Sequence, residues 1–336
     1  MFSHSVQAAP SSRARPFAGS HGIRLALSKA SLMAGLMATT AAQALTIGAT
    51  FQGYDAAHQD EILTALSFYE STFSDNIALN LKFINTGTGL GTTNQFFYKV
   101  NYGSFLSALA NDGSSSTDAI ALANLPWALP GDNAPVPGAG PNLIINRAGA
   151  AAVGLNVGDQ SDGITSWDAV IDLNLSLMST DHAHPELTPD LYDLRSIAMH
   201  EINEVLGSTS NLGRTGFFSG SVSAIDLFRY DLQGDRSFTT SGDDAYLSLD
   251  GVTQLARFNQ DGGGDYGDFW SAGPHSFQLQ DAFATPGMAA DMEVEIDMLD
   301  AIGLTLSQVS TVPEPGSLAL VVAALGLAAS ARRRKR

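Results

Sequence analysis

His200, Glu201 and Glu204 fall within five residues of one another in the stretch Asp193 to Gly207. On a helix, residues four apart project from one face a turn apart, so His200 and Glu204 could bring a ring nitrogen and a carboxylate to one cation. Glu201, beside His200, points partly toward the same cleft and could take a proton from water. The chemistry suggested is divalent metal binding and metal-assisted hydrolysis, as in the helical pattern H-E-x-x-H. Here the second ligand position is Glu204. A carboxylate binds zinc at ~2.0–2.2 Å, but it makes the site harder and richer in oxygen. A zinc site of this kind needs a third protein ligand and an open water position. Asp226 is the first candidate, followed by His275, then His182 and His184 in a polar loop. Tyr230 could donate to an oxyanion. The plain alternatives are a solvated acidic helix face, a structural Asp226 that caps or pairs with Arg229, and a packed Tyr230.

These residues need a scaffold. Leu194, Ile197, Ile202 and Val205 give the Asp193–Gly207 stretch an apolar face, and Gly207 is a natural stop, so it reads as a helix. Upstream, Thr46 to Gln52 reads as a strand. Ile62, Leu66, Tyr69 and Phe73 mark an amphipathic helix over Ala57 to Phe73, and alternation at Ile77, Leu79, Leu81 and Phe83 marks another strand. Thr86 to Thr93 reads as a Gly/Thr-rich loop, Phe96 to Tyr102 as a strand, Ser104 to Ala110 as a helix, and Asn111 to Thr117 and Pro130 to Pro141 as loops. Leu143 to Asn146 and Ala169 to Leu173 are strand candidates. Asp250-Gly251 between Tyr246 and Phe258 predicts a hairpin, and Glu293 to Ile302 a final amphipathic helix. The fold class expected is mixed, α/β (α+β).

The 336 residues carry 17 Lys+Arg against 34 Asp+Glu, a formal net charge of −17, and no cysteine. Absence of cysteine excludes a disulfide scaffold, a thiolate nucleophile and Cys-based metal sites. Residues 45–312 hold 8 of the basic and 33 of the acidic residues, a net −25. So acidic a body disfavours nucleic acid as a partner and attracts divalent cations. The Gly- and Asp-rich stretch from Asn259 to Asp268 makes calcium a second candidate ion, although it follows neither the EF-hand frame nor a repeated nonapeptide.

Both termini read as addresses. Basic residues lead into Leu32 to Ala38 and then Ala42-Gln43-Ala44, the pattern of a secretory signal peptide over residues 1–44. At the other end Val312-Pro313-Glu314-Pro315-Gly316 precedes an apolar run from Leu318 and the cluster Arg332 to Arg336. This three-part tail resembles the PEP-CTERM sorting signal of Gram-negative bacteria. The resemblance implies a sorting signal over 313–336, with a short transmembrane helix. Exosortase-type machinery would be a partner, with transient anchoring through residues 318–331 before release to the cell surface, extracellular matrix or medium.

Ser196 to Gly207 resembles the active-site helix of metzincins, with pattern H-E-x-x-H-x-x-G-x-x-H. Gly207 matches that family's glycine, Glu204 replaces its second histidine and Ser210 stands at its third ligand position. Ser223 to Tyr230 lies where a metzincin has its Met-turn, without the methionine. Together with Phe258-Asn259, Gly264 to Trp270 and Leu299 to Gly303, the chain looks like a group of bacterial metalloproteases that carry PEP-CTERM tails. The resemblance implies one catalytic domain over 45–312, with a mixed twisted sheet, an active-site helix and a C-terminal helix. It implies an endopeptidase acting on protein or peptide substrates. Zn2+ would be held by His200 and Glu204, with Glu201 as general base. It also implies that the strand before the helix, within Trp167 to Asn174, binds substrate as an added strand. The alternatives are a domain of the same shape that has lost its metal and serves as a matrix or adhesion component, and a carboxylate-rich site for another metal or calcium.

Overall fold

The computed structural model describes residues 44–126, 142–157, 167–241, 244–270, 278–290 and 292–307. Residues 1–43 of the expected signal peptide, the Pro130–Pro141 loop, His275 and the tail from 308 lie outside the described residues. Among the described residues no helix is long and apolar enough to cross a membrane. The segment expected to do so, 318–331, is not among them.

The chain begins with β1 (Thr46–Gln52), α1 (Ala56–Thr72) and β2 (Ala78–Asn85). Asp55 caps α1 by accepting from the His58 N–H. The helix buries Ile62, Ala65, Leu66 and Tyr69, the stripe its sequence spacing marks. β3 (Gly91–Gln95) and β4 (Phe97–Asn101) follow, then α2 (Tyr102–Asp112) and α3 (Ser116–Asn124). A capping box of Ser115 and Asp118 starts α3. β5 (Asn142–Asn146), α4 (Arg147–Ala152) and β6 (Ala169–Leu173) come next. The short β7 (Met178–Ser179) and β8 (Tyr192–Asp193) lead to α5 (Leu194–Leu206). The last elements are β9 (Val222–Ser223), β10 (Arg229–Tyr230), β11 (Tyr246–Leu247), β12 (Ala256–Arg257) and α6 (Val294–Ala301).

The fold is mixed α/β, with several small sheets. The largest runs β1-β2-β6-β3; its first three strands are parallel, and β3 closes it antiparallel to β6. β4-β5-β9 and β10-β11-β12 form separate three-stranded sheets, and β7-β8 a pair. Tyr69, Phe73, Phe83, Tyr102, Phe105, Phe228, Phe258 and Phe269 are fully buried in a continuous apolar core.

Three expectations change. Gly91–Thr93, expected as loop, is strand, because pairing with β6 and packing on α5 outweigh the weak strand tendency of Gly and the lack of apolar alternation. The Tyr246–Phe258 hairpin exists, but its ladder is two residue pairs long. Asp250 Oδ1 accepts from the N–H groups of Val252 and Thr253, so Asp250-Gly251 belongs to a wider turn. Finally, β6 cannot take an added substrate strand, because β2 and β3 occupy both its edges. Among the described residues, the unpaired edge of this sheet near α5 is that of β3.

Asn146 ties the sheets to α5. Its Nδ2 donates to the carbonyls of Val205 at 2.7 Å and Glu204 at 3.0 Å, and its Oδ1 accepts from Gly149 N at 2.8 Å. One side chain thus satisfies the end of α5 and the start of α4. Asn146→Ala is expected to cost about 2 kcal/mol by leaving these groups unpaired in the interior. Thermal unfolding should show the midpoint falling by about 4–8 °C for a domain of this size.

Candidate metal centre

α5 is pinned at both ends. Asp193 caps it, with Oδ2 accepting from Ser196 N at 2.8 Å and Ser196 Oγ at 2.6 Å. At the far end Gly207 adopts φ +129°, and its N–H donates to Asn203 O and Glu204 O. This left-handed turn favours glycine, and a Cβ there would lie 2.9 Å from Ile302 Cδ1. Gly91, Thr93 and Gln95, alternate residues of β3, face the helix. Thr93 Oγ1 donates to Glu201 Oε2 at 2.6 Å, and Gln95 Nε2 donates to Glu204 O at 2.9 Å. A Cβ on Gly91 would collide with the Glu201 carboxylate, so only glycine lets β3 approach this closely.

His200, Glu201 and Glu204 line one cleft of about 480 Å3, together with Asp265, Asp268, Asp281 and Arg214. His200 Nδ1 lies 3.0 Å from Leu279 O. That carbonyl can only accept, so Nδ1 carries the proton and the Nε2 lone pair faces the cleft. His200, Glu204 and Asp268 each offer one ligand atom, and the three atoms lie within 4.8 Å of one another. His200 Nε2 and Asp268 Oδ1 are 3.6 Å apart. Two ligands each about 2.1 Å from a tetrahedral zinc would be about 3.4 Å apart, so the spacing fits a bound cation. The hydrogen bond from Nδ1 to a backbone carbonyl is the usual support of a metal-binding histidine.

Asp268 replaces Asp226 as the third member of the cluster. Asp226 is wholly buried: Oδ1 accepts from Ser210 Oγ at 2.6 Å, and Oδ2 accepts from Asn211 N at 3.1 Å and Ser223 N at 2.8 Å. It staples the loop after α5 to β9, and Ser210, at the third metzincin ligand position, is its partner. Asp268 reaches His200 because Gly267 lies against that loop. A Cβ at Gly267 would sit 2.7 Å from Ser210 N. Phe269 N donates to Gln280 O at 2.7 Å, which brings Gln280 in beside Asp268. Gln280 Nε2 donates to Asp268 Oδ1 at 3.0 Å and lies 3.3 Å from His200 Nε2.

The other expected residues lie elsewhere. His182 Nδ1 is 2.8 Å from Asp193 Oδ2 at the start of α5, and His184 is on an exposed loop beside Asp181. Neither lines the cleft, nor does Tyr230, whose ring packs under Arg236 with the guanidinium carbon 4.7 Å from its centroid. In the Asn259–Asp268 loop, Asn259 Nδ2 donates to the carbonyls of Asp261 and Asp265. Asp268, Gln280, Thr93 and Arg214 were missed as site residues. The only signal in the sequence was the run Gly264 to Trp270, whose Gly-Asp pairs mark close backbone approach.

The cleft crowds negative charge. Burial raises the Glu201 carboxyl, against His200 and the Thr93 hydroxyl, which lower it. Burial and then the charges of Glu201, Asp268 and Asp265 hold Glu204 well above its ordinary value. Burial and then Asp265 do the same to Asp268, and Asp281 is raised to about 7 by burial and Asp268. Groups raised this way favour the protonated folded state, so their contribution is present at acid pH and is lost as pH climbs through the raised values. The metal-free chain should therefore lose stability as pH rises from the ordinary carboxylate range through about 7, where Asp281 titrates. Asp268→Asn removes one of these titrating groups and should flatten this slope. Chemical denaturation across pH, in the presence of chelator, measures both.

Residues 311–335 match the PEP-CTERM protein-sorting motif. The motif marks the chain as exported and anchored transiently at the membrane before sorting to the cell surface, with recognition by exosortase sorting machinery. No curated protein and no solved structure matches the chain.

Proposed function

We propose that this surface-sorted chain is a zinc-dependent endopeptidase with a metzincin-like catalytic domain. The observation that carries the reading is the convergence of His200 Nε2, Glu204 and Asp268 in a cleft that also holds Glu201. These residues would hold the zinc. When bound, it would polarise the scissile carbonyl and acidify a water. The chain's own residues supply the rest. Glu201 takes the proton from the attacking water and passes it to the leaving amine. Burial raises its carboxyl, which favours holding that proton before it is passed on. Thr93 holds Oε2 by a hydrogen bond, while Oε1 lies against Gly91, so the carboxylate keeps one orientation. The outer edge of β3, which lines the cleft, offers backbone N–H and C=O groups to an extended peptide. The sequence resemblance of Ser196 to Gly207 to the metzincin helix supports the same reading, with Asp268 taking the third ligand's part.

The test is metal content. The chain purified without chelator should contain close to one zinc by mass spectrometry, and His200→Ala should lose it. Peptide hydrolysis should be abolished by chelation and restored by zinc, and Glu201→Gln should lower kcat by about 10²–10⁴-fold with zinc retained. A wild-type chain that takes up no metal even from excess would sink the peptidase and favour a non-catalytic matrix or adhesion protein.

A further inference from the structure

A second, smaller pocket lies against the cleft. It offers about 30 Å3 of free space and shares Ile197, Asp281 and Ala284 with the cleft wall. Ile197 stands three residues before His200 on α5, so the pocket lies about one helical turn from the metal cluster. Leu279, Met288 and Ala289 continue its apolar wall, while Asp193 and Asp281 supply carboxylates. Both acids are buried, Asp193 at 2% and Asp281 at 7% exposure. On each of them Oδ1 has no hydrogen-bond partner.

Such oxygens are costly to bury and call for a donor or a positive charge. Asp193 is partly accounted for. Its Oδ2 accepts from Ser196 N and Oγ to cap α5, and His182 Nδ1 lies 2.8 Å away. Asp281 has no such role. Its side chain makes no hydrogen bond to any described residue, and the charge of Asp268 works against its own. Nor does the pair make a metal cluster: among the described residues only His200, Glu204 and Asp268 bring three ligating side chains together. The dimensions narrow the choice of occupant. A single water needs about 10–15 Å3, so the pocket admits a group the size of an ammonium with the methylene beside it. A planar guanidinium is broader than that. Apolar walls beside buried carboxylates suit lysine, whose methylene stem packs on apolar surface while its compact ammonium donates in three directions.

We propose that this side pocket receives the ammonium of a substrate lysine, with Asp281 as the specificity-determining residue. The proposal rests on the peptidase reading above and names its substrate class, peptides with a lysine close to the bond that is cleaved. On entry the ammonium exchanges water for buried acceptors, and Asp281 gains the positive partner it lacks. The larger cleft, lined by Glu201, Glu204, Asp265 and Asp268, draws a basic peptide in preference to an acidic one.

The test uses the zinc-loaded full chain and neutral N-acetylated peptides in which one position, scanned along the peptide, is lysine, arginine or norleucine. Acetylation removes the terminal amine as a second source of ammonium, and norleucine keeps the four-carbon stem without the charge. At one position the lysine peptide should show kcat/KM about 30-fold or more above both others. In Asp281→Asn, which breaks no hydrogen bond, the lysine-to-norleucine ratio should fall close to one. The ratio is taken within each protein, so a loss of stability does not imitate the effect. Equal cleavage of lysine and norleucine peptides by wild type, or a lysine preference that survives in Asp281→Asn, would overturn the pocket's role, leave it to ordered water and leave the peptidase standing. A preference for arginine would overturn the primary ammonium. If no peptide is hydrolysed, the peptidase falls, and fluorescence anisotropy of labelled peptides decides the pocket separately. Tighter binding of the lysine peptide that is lost in Asp281→Asn supports it, and equal binding of all three peptides overturns it.

Discussion

Carboxylate crowding beside His200 is the constraint to which the other features of the site answer. Glu201, Glu204, Asp265, Asp268 and Asp281 share one cleft, and Arg214 is the one strongly basic side chain among the described residues lining it. Removing such charges from water is unfavourable, and placing them together adds repulsion. A fold built for stability alone would have used apolar residues there. A cation would balance that charge, and the ring of His200, held by Leu279 O, turns Nε2 toward the same cleft.

Two glycines make that crowding geometrically attainable. Gly91 lets β3 lie against α5 so that Thr93 reaches Glu201, and Gly267 lets the Asp268 segment lie against the loop after the helix. Both are close backbone approaches that a side chain would block. The loop itself is stapled by Asp226 through Ser210, Asn211 and Ser223. A carboxylate that had the right type for a ligand is thus used as internal scaffolding, and Asp268, farther along the chain, is the one that lies beside His200 and Glu204. Hydrogen bonds continue outward from the cluster through Gln280 and Asn203 to Tyr69 on α1, so the first helix and the site share one buried polar network.

Much of the framework was legible from periodicity. The strands β1, β2, β5 and β6 and the helices α1, α2, α5 and α6 were visible because alternation and helical spacing are local properties of the chain. β3 was read as loop, since Gly-Thr-Thr-Asn-Gln carries no apolar alternation and becomes strand only through β6 and α5. The assignment of β6 as a substrate strand failed for a similar reason: edge and interior strands differ by their neighbours, which the strand's own residues do not encode.

By itself the sequence determined that His200 and Glu204 share a helix face with Glu201 beside them, that the body is strongly acidic, and that the tail is a sorting signal. The first two follow from covalent spacing and composition, and the third from the tail's resemblance to a known signal, which the motif match over residues 311–335 bears out. Tertiary structure alone decided that Asp268 joins His200 and Glu204, that Asp226, His182 and Tyr230 stand apart, and that Gln280 meets the cluster. Those outcomes depend on which backbones approach closely and which polar groups lose water, and both are settled only when distant segments pack.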